Sequence, residues 1–171
     1  MNKQFALKPQ DVVVAIKLAG IKQFTYASLS LAVGLAPSQV HASVKALLQS
    51  KLMSEDGDSG VAINRFRLVE FLVHGVPYMF PAIETHPTKG LATISELDEM
   101  KQVFLTQRNY VWPLTSGKDT GVGLVPLHHC VFRAVQDDAA AYRILMSIDA
   151  IRIGDARERD VGTSVIRRSL A

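Results

Sequence analysis

Residues 26–47 read YASLSLAVGLAPSQVHASVKAL, and this stretch decides the fold of the amino-terminal third of the chain. Thr25, just before it, is a good helix cap, and Gly34 is a good left-handed residue with which to end a helix. Pro37 suits the first position of a following helix. Apolar residues then recur on one helix face, at Val40, Val44, Leu47 and Leu48. The stretch therefore predicts a helix over 27–33 and a second over 37–50, joined by a tight turn.

Two short helices joined at a steep angle by a tight turn make a helix-turn-helix. Such a pair needs a small residue where the helices cross, which Ala27 or Ala32 supplies, and an apolar residue in the turn, which Leu35 supplies. The outer face of the second helix must be small and polar to enter the major groove of DNA. The residues that fit this description are Ser38, Gln39, His41, Ala42, Ser43 and Lys45.

The flanking sequence completes this unit on both sides. Pro9 and Asp11 suit the first turn of a helix over 9–19, because Pro has no donor to lose there and a carboxylate favours a helix amino terminus. Short strands are predicted at 52–53 and 61–63, on either side of a turn over 55–60. Asn64 can cap a further helix over 65–74, which Gly75 ends.

This order of elements over residues 12–63 resembles the winged helix-turn-helix family of bacterial and archaeal transcriptional regulators, with MarR-like regulators the nearest likeness. Two segments carry the resemblance, TYASLSLAVGL (25–35) and APSQVHASVKALLQSKL (36–52). The resemblance implies that exposed residues at the start of the third helix contact base edges and that Lys45 contacts a phosphate. The base-contacting residues would be Pro37, Ser38, Gln39, His41 and Ala42. Gln pairs well with adenine, and Ser serves donor or acceptor sites.

Two features depart from the family pattern. Ala36 stands where family members often have a capping Ser or Thr, so the third helix lacks a side-chain cap at this position. The predicted hairpin tip carries Glu55, Asp56 and Asp58, where a wing that touches DNA is usually basic. We therefore expect the wing to avoid the phosphates.

The charge is distributed unevenly, although its formal net value is only +3. Residues 1–54 contain six lysines and one acidic residue, whereas residues 76–171 contain eleven basic and eleven acidic residues. A basic amino-terminal region is typical of a chain that meets phosphate at one end. A solvated lysine-rich surface gives the same balance, and we interpret Lys17 and Lys22 as surface charge rather than phosphate ligands.

Composition places the chain among folded globular proteins, with 48% hydrophobic and 20% charged residues in 171. The single cysteine, Cys130, excludes an internal disulfide and suggests a reducing compartment. The chain has neither a long uncharged apolar stretch nor an apolar leader. The sequence therefore predicts a cytoplasmic protein that does not enter a membrane.

The second half of the chain has a different pattern. Strands are predicted at 76–80, 110–113 and 122–125, with a loop over 85–93. Helices are predicted at 96–105, capped by Ser95, at 129–136, at 138–153, capped by Asp137 and ended by Gly154, and at 156–169. The predicted class is α+β: a winged helix-turn-helix over 1–75, followed by a small α/β region over 76–171 with helices packed on a short sheet. This second region would serve dimerisation, sensing or partner binding.

Sites for catalysis or metal binding are not indicated. Three consecutive residues such as His128, His129 and Cys130 cannot easily converge on one ion, and the segment 56–60 lacks the closing Glu of a calcium loop. A phosphate loop, a nucleophile elbow and paired catalytic carboxylates are all missing from the sequence. We therefore predict no enzyme activity, no metal and no cofactor.

Two functions follow as hypotheses. The first is a sequence-specific regulator that binds double-stranded DNA as a repressor, with helix 37–50 in the major groove and a homodimer matching two half-sites. The second is a winged-helix protein-interaction module, such as an antitoxin-like or complex-assembly subunit, with little DNA binding and a protein partner bound through the carboxy-terminal region. An enzyme would need a pocket in the second half, for which the sequence nominates no residues.

Overall fold

The computed structural model describes residues 6–56, 60–101 and 108–171. Helices and two small sheets make up this described part, so the α+β class is confirmed. Packing divides the chain into two units. The first contains Met1–Val69, Leu127–Tyr142 and Leu170–Ala171, and the second contains Glu70–Pro126 and Arg143–Ser169. The proposed roles of 1–75 and 76–171 stay a prediction, because a division by packing does not test them.

Three helices and a hairpin open the first unit, as the sequence predicts. They are α1 (Pro9–Ala19), α2 (Tyr26–Val33), α3 (Pro37–Gln49), β1 (Met53–Asp56) and β2 (Gly60–Ile63). The strands are antiparallel, with Met53 opposite Ile63. α4 (Arg65–His74) follows, and its predicted bounds are confirmed. Within the predicted turn over 55–60, residues 57–59 lie outside the described residues.

The core of the first unit is built around α1, which packs against α2, α3 and β2. Every residue from Val12 to Ile16 is buried, so α1 is apolar around most of its circumference. Full burial of one such side chain stabilises a fold by about 1.5–3 kcal/mol. α1 therefore serves as the central support on which α3 rests.

A segment from late in the sequence completes this unit. It contains α7 (Val131–Ala134), shorter than the predicted 129–136, and the start of α8 (Ala139–Ile153). Lys17 Nζ lies 2.5 Å from a carboxylate oxygen of Asp138 and donates to the carbonyl oxygen of Ala134 at 2.9 Å. Because the Lys17 side chain is only 10% exposed, its interpretation as surface charge is wrong.

The start of α8 differs from its prediction by one residue. Asp138, rather than Asp137, accepts a hydrogen bond from the Ala141 amide at 2.9 Å, so Asp138 is the cap. Asp137 has a φ of 59° and so makes the left-handed turn that precedes the helix. Burial raises the pKa of the Asp138 carboxyl, but the hydrogen bond and charge of Lys17 and the backbone donors outweigh it, so the pKa lies below its usual value.

The second unit is built on three strands: β3 (Glu84–Ala92), β4 (Tyr110–Pro113) and β5 (Asp119–Leu124). β3 pairs antiparallel with both other strands, and β4 pairs with β5 in parallel, so the three close into a small barrel. The helices of this unit are α5 (Val76–Met79), α6 (Asp98–Lys101), most of α8, and α9 (Ala156–Ser169).

Glycine permits the tight closure of this barrel. A Cβ on Gly90 would collide with the carbonyl group of Trp112, and one on Gly117 would collide with the backbone of Gly90. Backbones can approach so closely only where no side chain intervenes.

A buried polar cluster joins α8 to the barrel. The Asp149 carboxylate accepts hydrogen bonds from the Thr93 hydroxyl at 2.9 Å, the Trp112 indole at 2.6 Å and the Arg152 guanidinium at 2.8 Å. Arg152 also donates to the carbonyl oxygen of Phe80 at 2.8 Å. Each buried charge is thus paired and hydrogen-bonded, which is the condition for tolerating it in a core.

Several predictions for the second half are wrong. Residues 76–80 were predicted as a strand but contain α5, since Pro77 fits the first turn of a helix. Residues 85–93 were predicted as a loop but contain β3, with a register shift between Thr85 and Pro87. The predicted helix over 96–105 is a 3-10 turn (Ile94–Glu96) followed by α6, and 102–107 lie outside the described residues. Ser95, predicted as a helix cap, lies inside the 3-10 turn and donates to the Thr93 carbonyl oxygen at 3.2 Å.

The other strand and helix predictions for this half agree with the structure more closely. β4 has its predicted bounds, β5 overlaps the predicted 122–125, and α8 and α9 match to within a residue. In the described parts of the chain, no helix is both long enough and apolar enough to cross a membrane.

Candidate nucleic-acid interface

The candidate interface is built from α2, α3 and the turn between them. The amino terminus of α2 is closed by a reciprocal pair of hydrogen bonds. Thr25 Oγ1 accepts from the Ser28 amide, and Ser28 Oγ accepts from the Thr25 amide, both at 3.0 Å. This capping box satisfies two donors that a helix end leaves free, so it fixes the start of α2.

The turn has the form that the sequence predicts. Gly34 adopts a left-handed conformation with a φ of 67°, and Leu35 behind it is buried. Ser30 Oγ donates to the Leu35 carbonyl oxygen at 2.5 Å, which holds the turn against α2. Of the two small residues proposed for the helix crossing, Ala32 is half-buried and Ala27 is exposed.

The start of α3 is capped in an unexpected way. Ala36 has no capping side chain, but Gln39 reaches back, and its Oε1 accepts a hydrogen bond from the Ala36 amide at 3.0 Å. The side chain predicted to read adenine thus also completes the helix end. Bidentate pairing with adenine uses both the oxygen and the nitrogen of the Gln amide. Because the amide oxygen has two lone pairs, one of them is left for adenine while the other accepts from the Ala36 amide.

α3 has one buried face and one exposed face. Val40, Val44 and Leu47 are buried, as predicted. The six residues nominated for DNA contact are all exposed: Pro37, Ser38, Gln39, His41, Ala42 and Lys45. Exposure leaves this surface open to a ligand, and DNA contact itself stays a prediction.

Ser43 is the exception to the predicted outer face. It is fully buried, and its hydroxyl donates to Asp11 Oδ1 at 2.6 Å. The other oxygen of Asp11 accepts from the Lys8 amide at 2.8 Å. Ser43 therefore anchors α3 to the start of α1, and the prediction that it faces outward is wrong.

An aromatic cluster that the sequence analysis missed lies beside this surface. The rings of Tyr26 and His41 stack, with centroids 3.6 Å apart and an interplanar angle of 13°. Phe24 contacts Tyr26 edge to face, at a centroid distance of 5.9 Å. The signal was present in the sequence as two aromatic residues next to the Thr25 cap. This cluster fixes His41 against α2.

α7 supports the turn from behind. Arg133 Nε donates to the carbonyl oxygen of Leu31 at 2.9 Å, near the end of α2. A Cβ built on Gly34 would lie 3.0 Å from Cβ of Arg133, so the two residues are in close contact. The conformation of the turn is thus tied to a segment far away in sequence.

The hairpin tip is described only in part. Glu55 is exposed at the end of β1, and Asp58 of the predicted acidic tip lies outside the described residues. The expectation that the wing avoids phosphates therefore stays a prediction.

His128, His129 and Cys130 precede α7, and the structure describes the contacts of the two rings and the burial of the thiol. The His128 and His129 rings lie against each other with centroids 4.1 Å apart, and burial raises the pKa of the Cys130 thiol to about 12. A thiol of that pKa is unreactive at neutral pH. Among the residues that the structure describes, no three His, Cys, Asp or Glu side chains are grouped so that they could hold a metal ion.

Comparison with known proteins gives no family assignment. No protein-family model matches the chain, and no curated protein or solved structure is significantly similar to it.

Proposed function

We propose that this chain is a winged helix-turn-helix regulator that binds double-stranded DNA with α3 in the major groove. The observation that carries the proposal is the pair of faces on α3. Val40, Val44 and Leu47 fix the helix in the unit, while all six predicted contact residues on the other face are exposed. A helix presented in this way, with small and polar residues outward, matches what a major groove admits.

The charge of the first unit supports the proposal. That unit contains nine Lys and Arg residues against six Asp and Glu residues, whereas the second contains ten of each. The net positive charge of the chain is thus carried by the unit that contains α3. Attraction to phosphates supplies most of the sequence-independent affinity of a DNA-binding protein.

The rigid supports of α3 also favour a readout function. Ser43 and Asp11 fix the helix to α1, while Arg133 braces the turn. A recognition surface held by packing and hydrogen bonds loses little conformational freedom when it binds.

The biological role we propose is repression, by a homodimer on two half-sites. A twofold dimer places two copies of α3 one helical turn apart, about 34 Å, on a palindromic operator. Sedimentation of the free protein and of its DNA complex tests this part of the proposal. A complex with one chain per operator would contradict it.

Fluorescence anisotropy with DNA from upstream of the chain's own gene tests the central proposal. We expect binding that weakens steeply as salt rises, with log K linear in log salt concentration. Lys45→Ala should lower affinity on every sequence and reduce the salt slope by about 1. Lys89→Ala, an exposed lysine of the second unit, is the matched control and should leave both unchanged. A folded chain that binds no DNA at low salt would overturn the proposal.

Gln39→Glu separates base reading from helix capping. A glutamate at this position still accepts from the Ala36 amide, so α3 stays capped. It loses the amide donor for adenine and brings a negative charge to the DNA. We expect unchanged thermal stability and an affinity at least about fivefold lower on the specific site, by the loss of about 1–3 kcal/mol per bidentate contact. Retained sequence preference would exclude Gln39 as a reader.

A second candidate function is the protein-interaction module. The observation that favours it is Leu31, which is 71% exposed on the surface of α2. Because single exposed apolar side chains are common on protein surfaces, this candidate stands second to DNA binding. This function predicts a partner whose binding is lost in Leu31→Lys, together with DNA binding that is absent or weak.

A further inference from the structure

A small cavity of about 270 Å³ lies in the first unit, between the end of α1 and the β1–β2 hairpin. Eight of its ten lining residues are apolar. Leu18 and Met53 among them are buried, and Phe24 and Ile63 are half-buried. The cavity is thus lined by mostly apolar residue types, together with polar surface, and it is open to solvent.

Two cations line the same cavity, Lys22 and Arg65, and none of the described residues that line it is acidic. The Arg65 side chain is held in place, since Nη2 donates to the Ala19 carbonyl oxygen at 2.9 Å and Nη1 to the main-chain oxygen of Ala171 at 3.2 Å. A guanidinium has five N–H donors, and two of those of Arg65 are used in these bonds to described residues. A fixed cation beside apolar residues is complementary to an amphipathic anion.

We infer that this cavity binds a short aliphatic carboxylate. The aliphatic walls remove the hydrocarbon chain from water, and the guanidinium of Arg65 matches the geometry of a carboxylate better than an ammonium does. Lys22 adds a second positive charge at the same place. The volume admits a chain of about six carbons, near the lower limit of ligand cavities in proteins.

The same site is connected to α3 by ring contacts. Phe24 lines the cavity and meets Tyr26 edge to face, and Tyr26 stacks on His41 in the exposed face of α3. A ligand that moves the ring of Phe24 therefore changes the environment of His41. The consequence for DNA affinity rests on the proposed function, and its size equals the difference in ligand affinity between the free and DNA-bound states.

Titration of hexanoate into ¹⁵N-labelled protein tests the site without DNA. We expect the largest amide shifts at the lining residues, in 18–24, 53 and 61–65, and a Kd on the order of 1 mM for so small a ligand. Hexanamide, which keeps the shape but lacks the charge, should bind at least tenfold more weakly. In protein labelled with ¹³C as well, shifts of the Tyr26 and His41 ring resonances report the connection to α3.

Two variants and one control define the site. Arg65→Gln should weaken hexanoate about tenfold, by the loss of a charged hydrogen bond. Ala62→Leu fills the cavity, keeps both cations and should abolish binding. Arg67→Gln removes an exposed cation of α4 that does not line the cavity, and should bind as wild type does.

Hexanamide binding as tightly as hexanoate, or an Arg65→Gln variant with wild-type affinity, would overturn the anion site. Hexanoate binding that leaves the Tyr26 and His41 rings unshifted would overturn the connection. If the site and connection hold, hexanoate should change DNA affinity in wild type but not in Ala62→Leu. A chain that binds hexanoate but no DNA contradicts the proposed function alone, so the two failures are distinguishable.

Discussion

Tyr26, the first residue of α2, lies flat against His41 of α3, with ring centroids 3.6 Å apart. This stack joins the two helices of the proposed DNA-binding motif on their exposed side. On the opposite side of α3, the hydrogen bond from Ser43 to Asp11 joins it to α1. α3 is therefore restrained from two directions.

Removal of the stack should destabilise the chain moderately. Tyr26→Ala should cost about 1 kcal/mol of unfolding free energy, because an aromatic pair contributes about 0.5–1.5 kcal/mol beyond its buried area. Tyr26→Phe keeps the ring and should cost less than about 0.5 kcal/mol. Urea denaturation followed by circular dichroism measures both. Equal losses in the two variants would assign the effect to the hydroxyl instead.

The buried hydrogen bond between Ser43 and Asp11 should contribute to the stability of the chain. Ser43→Ala should destabilise the chain by about 1–3 kcal/mol, because it leaves an oxygen of buried Asp11 without its donor. Ser38→Ala makes the same change on the exposed face of the same helix and should stay within about 0.5 kcal/mol of wild type. A similar cost for both variants would contradict the buried role of Ser43.

The Lys17–Asp138 ion pair should make stability depend on pH. The folded-state pKa of Asp138 is lowered, so its contribution is present above the unfolded-state value of about 3.9 and is lost as pH falls through the folded-state value. Asp138→Asn keeps an acceptor for the Ala141 amide but removes the charge. We expect it to cost about 1 kcal/mol at pH 7 and progressively less as the pH falls below about 3.9.

The control for this experiment is the neighbouring residue. Asp137 is exposed and left-handed, a conformation that Asn tolerates well, so Asp137→Asn should leave stability unchanged at both pH values. A cost of Asp138→Asn that stays the same from pH 7 to pH 2 would exclude the ion pair as its cause.

Replacement of Gly34 by alanine should destabilise the chain more than replacement of Gly60, although both glycines have a positive φ. Alanine at either position should lower the free energy of unfolding by about 1–2 kcal/mol, because an L-residue is strained in the left-handed conformation. At Gly34 its Cβ would also lie 3.0 Å from Cβ of Arg133, whereas no atom of the described residues lies within 4 Å of a Cβ at Gly60. Thermal denaturation should show the larger loss for Gly34→Ala. Equal losses would mean that Arg133 moves aside without cost.

Local signals were sufficient to predict the helices and hairpin of the first unit. Thr25, Gly34 and Pro37 mark helix ends by chemistry that acts within a few residues, and the buried positions of α3 follow from its spacing. For the same reason, the exposure of the six nominated residues could be predicted. Whether they contact DNA depends on a partner that no intramolecular pattern encodes.

The strand β3 and the burial of Ser43 were not predicted, because both depend on contacts with residues far away in sequence. Pro87, Thr88 and Lys89 have loop-like chemistry, and they form a strand because β5 pairs with them from far along the chain. Ser43 was assigned to the outer face because its partner Asp11 lies 32 residues away. Small polar residues carry little periodic signal, so tertiary contacts decide their burial.

The first unit contains α7, a helix from far along the chain, and this affects how the unit folds during protein synthesis. Lys17 and Asp138 are 121 residues apart, so a ribosome must translate most of the chain before they can meet. Domains usually fold in the order in which they emerge. Here the amino-terminal helices emerge first, yet their unit is completed only after the whole three-stranded barrel has been made. A nascent chain that stalls before α7 therefore displays α3 without the support of Arg133 behind its turn.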